Sequence, residues 1–132
     1  MHIFLENGYL KCEDRDKHLI CGDLSKLAFS CNFRSEEFAL ELGLSIRQLQ
    51  RLFGYYIGTI PSDWLKQQKM VRSRQMLLEG CTLRQVMNEL GYKYSTHFYR
   101  DFQKHFRVTP VKFIKEILPI KFEYSEKTEF VA

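Results

Sequence analysis

Two short runs of the sequence carry side chains that can form hydrogen bonds with nucleic-acid bases. The first run has no acidic residue and contains Ser45, Arg47, Gln48, Gln50 and Arg51, interleaved with apolar residues. Arginine can donate two hydrogen bonds to guanine, and glutamine can pair in the same bidentate manner with adenine. Both residue types are also good formers of ordinary exposed helices. Taken alone, this run leaves a base-reading face and a solvated face as equal alternatives.

The second run adds hydroxyl groups, an imidazole and cations. Its outward residues are predicted to be Tyr94, Ser95, Thr96, His97, Tyr99 and Arg100, flanked by Lys93, Lys104 and Arg107. Hydroxyl groups contact phosphates or bases, and lysine and arginine neutralise the phosphate backbone. His97 is expected to be a neutral contact, because no nucleophile and carboxylate arrangement stands near it. The presence of a second polar face favours base reading at both.

Helices are predicted to position both runs, because apolar residues recur with helical periodicity and alternating strand patterns are nearly absent. Seven helices are predicted, over about 23–32, 35–42, 45–56, 61–79, 82–90, 95–106 and 109–117. The expected fold class is all-α and homeodomain-like, with two helix-turn-helix subdomains joined by a long central helix. In that central helix Trp64, Val71 and Leu78 recur at sevens. At 19 residues it would span about 28 Å and set the two polar faces about one turn of B-DNA apart.

The corners between the helices carry the residues that such corners need. Glycine stands at both, Gly43 before the third helix and Gly91 before the sixth, and it adopts the left-handed backbone of a tight corner without strain. The third and fifth helices open with capping-box patterns, in which a hydroxyl residue precedes a glutamine by three positions: Ser45 with Gln48 and Thr82 with Gln85.

An internal repeat with a period near 49 residues supports this organisation. At that offset three residue types recur in matched pairs: Arg51 with Arg100, Phe53 with Phe102, and Pro61 with Pro110. Two copies are too few for a helical solenoid, so a duplicated helix-turn-helix is the better interpretation. The predicted organisation is an N-terminal extension (1–22), a first subdomain (23–60), a linker helix (61–80), a second subdomain (81–117) and a C-terminal tail (118–132).

The charge of the chain is distributed unevenly. The formal net charge is +4, yet residues 45–115 contain thirteen Lys or Arg against four Asp or Glu, a net of +9. A solvated face is the simplest explanation of a charged run. A concentration of this size in a folded segment costs self-repulsion, and it therefore favours a polyanionic partner such as nucleic acid.

Several other classes of protein are disfavoured by the sequence. The four cysteines, Cys12, Cys21, Cys31 and Cys81, form no CxxC pair and are expected to be reduced and structural. We expect no metal or other cofactor. We also expect no enzyme activity, since phosphate loop, metal cluster, nucleophile elbow and paired buried carboxylates are all missing from the pattern. No apolar run approaches a membrane span and no leader peptide is recognisable, which predicts a soluble cytoplasmic chain.

The motifs from LGLS at 42–45 to LLEG at 77–80, followed by LGYKYSTHFYRDFQKHFRVTP at 90–110, resemble the DNA-binding domain of AraC/XylS-type bacterial transcription regulators. The resemblance covers residues 24 to about 115 and is most specific from 90 to 113. It implies two helix-turn-helix units that bind double-stranded promoter DNA, commonly to recruit RNA polymerase, in the bacterial cytoplasm at the nucleoid. The base-contacting positions that it implies are Arg47, Gln50 and Arg51 in the first unit and Thr96, His97 and Arg100 in the second.

Four positions depart from the family pattern. Met87 replaces a small alanine and Arg107 replaces a glycine, while Ile60 takes a threonine cap position and Ser73 replaces an alanine. Met87 raises the question of how the second unit packs. Arg107 leaves two alternatives open, an added phosphate contact or a strained turn.

Two further questions stay open at the level of sequence. Many members of the family carry a separate ligand-binding or dimerisation domain, for which residues 1–22 are too few. The chain is therefore either a small complete regulator or a domain of a longer protein, and it shows no evident small-molecule effector site. The alternative to DNA reading is a basic helical module that binds an acidic protein without sequence preference.

Overall fold

The computed structural model describes residues 2–6, 9–14, 19–21 and 23–119. Three strands come first in the chain: β1 (His2–Glu6), β2 (Tyr9–Asp14) and β3 (Leu19–Cys21). Seven α-helices follow in this part of the chain: α1 (Leu24–Ser30), α2 (Ser35–Glu41), α3 (Ile46–Tyr56), α4 (Pro61–Leu78), α5 (Leu83–Glu89), α6 (Ser95–Phe106) and α7 (Pro110–Lys112). A π-helical turn, Phe113–Ile117, continues α7. The seven predicted helices are confirmed. Most of the predicted C-terminal tail, residues 120–132, lies outside the described residues.

The all-α expectation does not extend to the N-terminal segment. There the three strands form an antiparallel sheet in the order β1-β2-β3, with Ile3 opposite Cys12 and Glu13 opposite Ile20. Ile3 and Cys12 are buried in the same apolar cluster as Leu24 and Phe53. Through these two side chains, β1 and β2 pack against α3 and α1 in the hydrophobic core. The two strands, which lie in the predicted N-terminal extension, are therefore an integral part of the fold.

The chain divides into two compact units, with the division between Lys69 and Met70. The first unit is centred on three aromatic rings that pack edge to face or tilted. The ring centroids of Phe38 and Phe53 are 6.1 Å apart, and those of Phe53 and Trp64 are 5.5 Å apart. Leu24, Ala28 and Leu49 are fully buried beside them. This core fixes one face of α3 and leaves the opposite face of that helix to solvent.

The second unit has its own aromatic core. Phe98 and Phe102, one helical turn apart on α6, are fully buried with ring centroids 5.7 Å apart. Phe113 packs on Phe102 at 5.8 Å. Val86 on α5 is also fully buried. The two phenylalanines therefore fix which face of α6 points inward.

The long helix α4 runs without interruption through the division between the units. Of the apolar residues that recur at sevens, Trp64 is buried, whereas Val71 and Leu78 are 42% and 41% exposed. Leu65 and Leu77, which lie beside that repeat in the sequence, are buried. The buried positions of the second half are instead spaced by threes and fours, the spacing of one face of an α-helix: Met70, Ser73, Met76 and Leu77. The Ser73 hydroxyl donates a 2.6 Å hydrogen bond to the Met70 carbonyl, so a polar group at this buried position is satisfied.

Cys31 is a buried free thiol, Cys81 is a half-buried one, and the side chain of Cys12 is buried. Burial raises the pKa of the Cys31 thiol above its ordinary value, since the thiolate would lose its hydration. These three cysteines agree with the predicted structural role. The side chain of Cys21 lies outside the described part of the chain.

Candidate nucleic-acid interface

The first polar helix starts from a sharp corner at Gly43. Gly43 has a φ of 69°, in the left-handed region. Its N–H donates to the Leu40 carbonyl, and the N–H of Leu44 donates to the Ala39 carbonyl at 2.9 Å. These bonds satisfy the carbonyl groups at the end of α2, the usual function of a glycine that follows a helix. After this corner the chain continues into α3.

A capping box fixes the first turn of α3. The Gln48 N–H donates to Ser45 Oγ at 3.1 Å, and the Ser45 N–H donates to Gln48 Oε1 at 2.9 Å. The prediction of this motif is confirmed. Both residues are also candidate DNA-contacting positions, but their side chains are engaged within the helix start. Among the candidate DNA-contacting residues of α3, Arg47, Gln50 and Arg51 have side chains that form no hydrogen bond within the described part of the chain.

These three residues of α3 share one exposed face. Arg47, Gln50 and Arg51 are exposed and stand three and four positions apart, which places them next to one another on a helix. Leu49 and Phe53 are fully buried on the opposite side. Ile46, which the periodicity predicts to face inward, is 37% exposed at the start of the helix.

The second corner repeats this construction. Gly91 has a φ of 76°, and the N–H of Tyr92 donates to the Met87 carbonyl at 2.9 Å. A second capping box opens α5, with the Thr82 N–H bonded to Gln85 Oε1 at 2.9 Å and the Gln85 N–H bonded to Thr82 Oγ1 at 3.1 Å. The two corners that the sequence repeat predicts are both present.

The exposed face of α6 carries the second set of predicted residues. Ser95, Thr96, His97, Arg100 and Lys104 are all exposed. The ring of Tyr94, 63% exposed just before the helix, contacts the His97 ring edge to face at a centroid distance of 5.4 Å. A shallow concave surface lies along the same helix, lined by Thr96, Tyr99, Arg100, Gln103, Lys104 and Arg107. It presents cations, an amide and hydroxyl groups together.

Comparison with known proteins agrees with this geometry. The family described as "Helix-turn-helix domain" matches residues 38–116, more than half of the chain. A solved structure from Chromobacterium violaceum, titled as a transcriptional regulator of the AraC-type DNA-binding domain-containing proteins, superposes with a TM-score of 0.59 at 29% identity. The match covers 69% of this chain and 85% of that one. The chain belongs to the AraC-type helix-turn-helix family.

Curated AraC-type relatives are longer than this chain. The HTH-type transcriptional regulator ArgR of Pseudomonas aeruginosa is 31% identical over 77 residues, which are 58% of this chain and 23% of that protein. The virulence regulon transcriptional activator VirF of Yersinia enterocolitica is 25% identical over 79 residues, 59% of this chain and 29% of its own length. The chain thus spans about a quarter of the length of these relatives.

Within this AraC-type fold, sequence reasoning missed the function of Asp101. The residue lies on the reading helix α6, yet it is only 9% exposed. Its carboxylate accepts a 2.8 Å hydrogen bond from the Tyr92 hydroxyl, and its other oxygen lies 3.8 Å from Arg100 Nε. Burial, and then the hydrogen bond and charge of Asp101, raise the pKa of Tyr92 well above its ordinary value. The sequence contains a signal for this contact. Asp101 directly follows Arg100 and stands nine positions after Tyr92, which itself follows the corner glycine.

The departures from the AraC-type pattern have structural outcomes. Met87 is accommodated half-buried on α5. Ile60 is 52% exposed before α4, whereas Thr109 accepts a 3.1 Å hydrogen bond from the Lys112 N–H and caps α7. Arg107 ends α6 in the left-handed conformation, with a φ of 65°. The second corner therefore keeps the geometry of the fold despite Met87, and of the four departures the one at Arg107 has a left-handed backbone.

Membrane-spanning helices and metal-binding clusters are absent from the part of the chain that the structure describes. No helix in it is both long and apolar enough to cross a membrane. Among the same residues, no three His, Cys, Asp or Glu side chains are grouped so that they could hold a metal ion.

Proposed function

We propose that this chain binds double-stranded promoter DNA in a sequence-specific manner and regulates transcription. The observation that carries the proposal is the duplicated construction: a glycine corner followed by a helix with one buried apolar face and one exposed polar face, present at both Gly43 and Gly91. Helix-turn-helix proteins insert the second helix of such a pair into the major groove, where side chains near its start reach the base edges.

In the first unit, Arg47, Gln50 and Arg51 are the proposed base-reading residues. Their side chains are exposed on one face, and arginine and glutamine are suited to bidentate contacts with guanine and adenine. Ser45 and Gln48 hold the start of the helix through the capping box. We assign them a positioning function at the interface, because their side-chain oxygens are already bonded.

In the second unit, Thr96, His97 and Arg100 are the proposed base-reading residues, since they occupy the exposed start and middle of α6. Tyr94, Ser95 and Lys104 flank them and are assigned to phosphate contacts, which orient a protein on the duplex without reading its sequence. The proposed subdomains keep the bounds 23–60 and 81–117, with the linker helix between them. Because each subdomain contributes one reading helix, one chain reads two successive major-groove segments.

The direction of regulation that we propose is activation. The relative VirF of Yersinia enterocolitica is named as a transcriptional activator, which supports this direction. Activation at a promoter requires contact with RNA polymerase, which becomes the second proposed partner. Such a protein acts on the bacterial nucleoid, in the cytoplasm.

The proposal is tested by measuring affinity for three probes over a range of salt concentrations. The probes are a duplex selected by the chain from a random pool, a scrambled duplex of the same composition, and poly-glutamate. A sequence-specific DNA binder favours the selected duplex by about a thousandfold, with an affinity that falls steeply as salt rises. Equal affinity for the two duplexes, or tighter binding of poly-glutamate, would instead identify a basic module for acidic proteins.

A further inference from the structure

Arg107 occupies a backbone conformation that disfavours its own side chain. It ends α6 with a φ of 65° and a ψ of 11°, and its N–H donates to the Gln103 carbonyl at 2.8 Å. Residues with a Cβ atom are strained in this left-handed region, which glycine adopts freely and asparagine tolerates. A positive φ also occurs at four glycines, at positions 43, 58, 80 and 91, and at two other residues, Asn32 and Phe33. Phe33 packs against the hydrophobic core of the first unit, whereas the side chain of Arg107 is exposed. Strained non-glycine residues tend to occur where a side chain has a function.

The side chain of Arg107 belongs to a row of cations on α6. It lines the same concave surface as Arg100 and Lys104, which are separated by one helical turn, while Arg107 follows three residues later. Neither Lys104 nor Arg107 has a carboxylate within ion-pair distance in the described part of the chain. Their charges are accordingly available to an external anion.

The position of Arg107 along the helix distinguishes it from the base-reading residues. It lies seven residues beyond Arg100, about 10 Å further along the helix axis at 1.5 Å per residue. A recognition helix reads bases with its N-terminal part, so the C-terminal end of α6 lies toward the sugar-phosphate backbone. Arginine fits that ligand because its guanidinium forms bidentate hydrogen bonds with phosphate oxygens.

We infer that Arg107 is a phosphate-binding residue of the second unit, and that it extends the cationic row Arg100–Lys104 onto the DNA backbone. The inference rests on the proposed function and deepens it. The contact adds affinity for any duplex and adds no base preference. It also carries a cost in stability, because the same position would be free of backbone strain as glycine.

A variant series separates the charge of Arg107 from its backbone strain. Arg107→Gly removes both, Arg107→Asn removes the charge at a residue type that tolerates the conformation, and Arg107→Lys keeps the charge. Lys26→Ala, which removes an exposed cation on α1, is the matched charge control. For each protein we would measure the Tm, and the Kd for a selected and a scrambled duplex at several salt concentrations.

For Arg107→Gly and Arg107→Asn we expect affinity for both duplexes to fall by about three- to tenfold, because each variant loses one charge-assisted contact. The slope of log Kd against log salt should decrease by about one, the value of a single phosphate. The Tm of the glycine variant should be no lower than that of the wild type, and Lys26→Ala should bind nearly as the wild type does. Arg107→Lys keeps the charge and loses the bidentate geometry, so it should keep the wild-type salt slope and lose less affinity than the two neutral variants.

Unchanged affinity and salt slope in both neutral variants would overturn the inference and leave Arg107 as a strained turn residue. A loss restricted to the selected duplex would overturn it as well, since it would assign base reading to Arg107. Failure of the proposed function itself is a distinct outcome, because in that case the wild-type chain would not discriminate between the two duplexes.

Discussion

The hydroxyl of Tyr92 donates a 2.8 Å hydrogen bond to the carboxylate of Asp101 and so connects the second corner to the middle of α6. Tyr92 directly follows the corner glycine, Gly91, and Asp101 directly follows the proposed base-reading residue Arg100. The second oxygen of the carboxylate lies 3.8 Å from Arg100 Nε. The pair thus links the conformation of the turn to the position of a side chain that is proposed to enter the groove.

Removing this hydroxyl with Tyr92→Phe should lower both stability and DNA affinity. The substitution leaves the mostly buried Asp101 carboxylate without that donor, which costs about 1–3 kcal/mol. We expect a lower denaturation midpoint, and about a several-fold higher Kd for a selected duplex. Tyr55→Phe, at an 81% exposed tyrosine on α3 that is not among the proposed DNA-contacting residues, is the control. Wild-type behaviour of both variants would show that the Tyr92–Asp101 bond does not position α6.

The same pair predicts a loss of stability in alkaline solution. The folded-state pKa of Tyr92 is raised, first by burial and then by the hydrogen bond and charge of Asp101. A group with a raised pKa stabilises the folded state fully below its unfolded pKa, about 10 for tyrosine, and this contribution is lost progressively as the pH rises from that value through the higher folded-state pKa. Stability should fall above about pH 10, with a smaller decrease in Tyr92→Phe, as followed by denaturant unfolding at each pH. Identical pH profiles would contradict the expected shift.

The capping boxes should contribute measurably to stability. Ser45→Ala and Thr82→Ala each remove the oxygen that accepts a backbone N–H at a helix start, which costs about 1 kcal/mol. Urea denaturation would measure both. Ser35→Ala, at the first residue of α2, is a suitable control, because the cap of that helix makes no side-chain hydrogen bond. An equal, small effect of all three changes would show that the two capping boxes do not stabilise the fold.

The N-terminal sheet should be required for the first unit to fold stably. Ile3→Ala removes buried apolar volume from the core of that unit and should cost about 2–4 kcal/mol. Leu5→Ala, on the same strand but 69% exposed, should cost little. Trp64, the single tryptophan of the chain, is buried in this core and its fluorescence reports on the unfolding of the first unit. Equal midpoints for the two variants would mean that the sheet is dispensable.

The helices and corners were predictable from sequence because their determinants are local. A capping box spans four residues, and a left-handed corner needs only its glycine. Both the Gly43 and the Gly91 corner were therefore identified correctly. Most of the polar residues predicted to face outward on α3 and α6 are exposed, whereas Tyr99 is half-buried. The duplication strengthened the interpretation, since a chance pattern would not recur at the same offset in both halves.

The strands and the role of Asp101 depend on contacts that the local sequence does not encode. In β1 the apolar residues Ile3, Phe4 and Leu5 are consecutive, so no alternation identified a strand. The sequence does contain an Asn-Gly pair at residues 7 and 8, a common motif of β-hairpins, and this pair was the available signal for strands in this segment. Asp101 is buried because Tyr92 packs beside it, a tertiary relationship that spacing alone could not supply.

The most direct test of the central claim is the selection of bound duplexes from a random pool by the wild-type chain, Arg51→Ala, Arg100→Ala and the control Lys26→Ala. The wild type and the control should enrich two short motifs about one helical turn apart. Arg51→Ala should relax preference in one motif and Arg100→Ala in the other, each by about 1–3 kcal/mol at one base position. If both arginine variants enriched the same sequences as the wild type, or if the wild type enriched none, base reading by α3 and α6 would be contradicted.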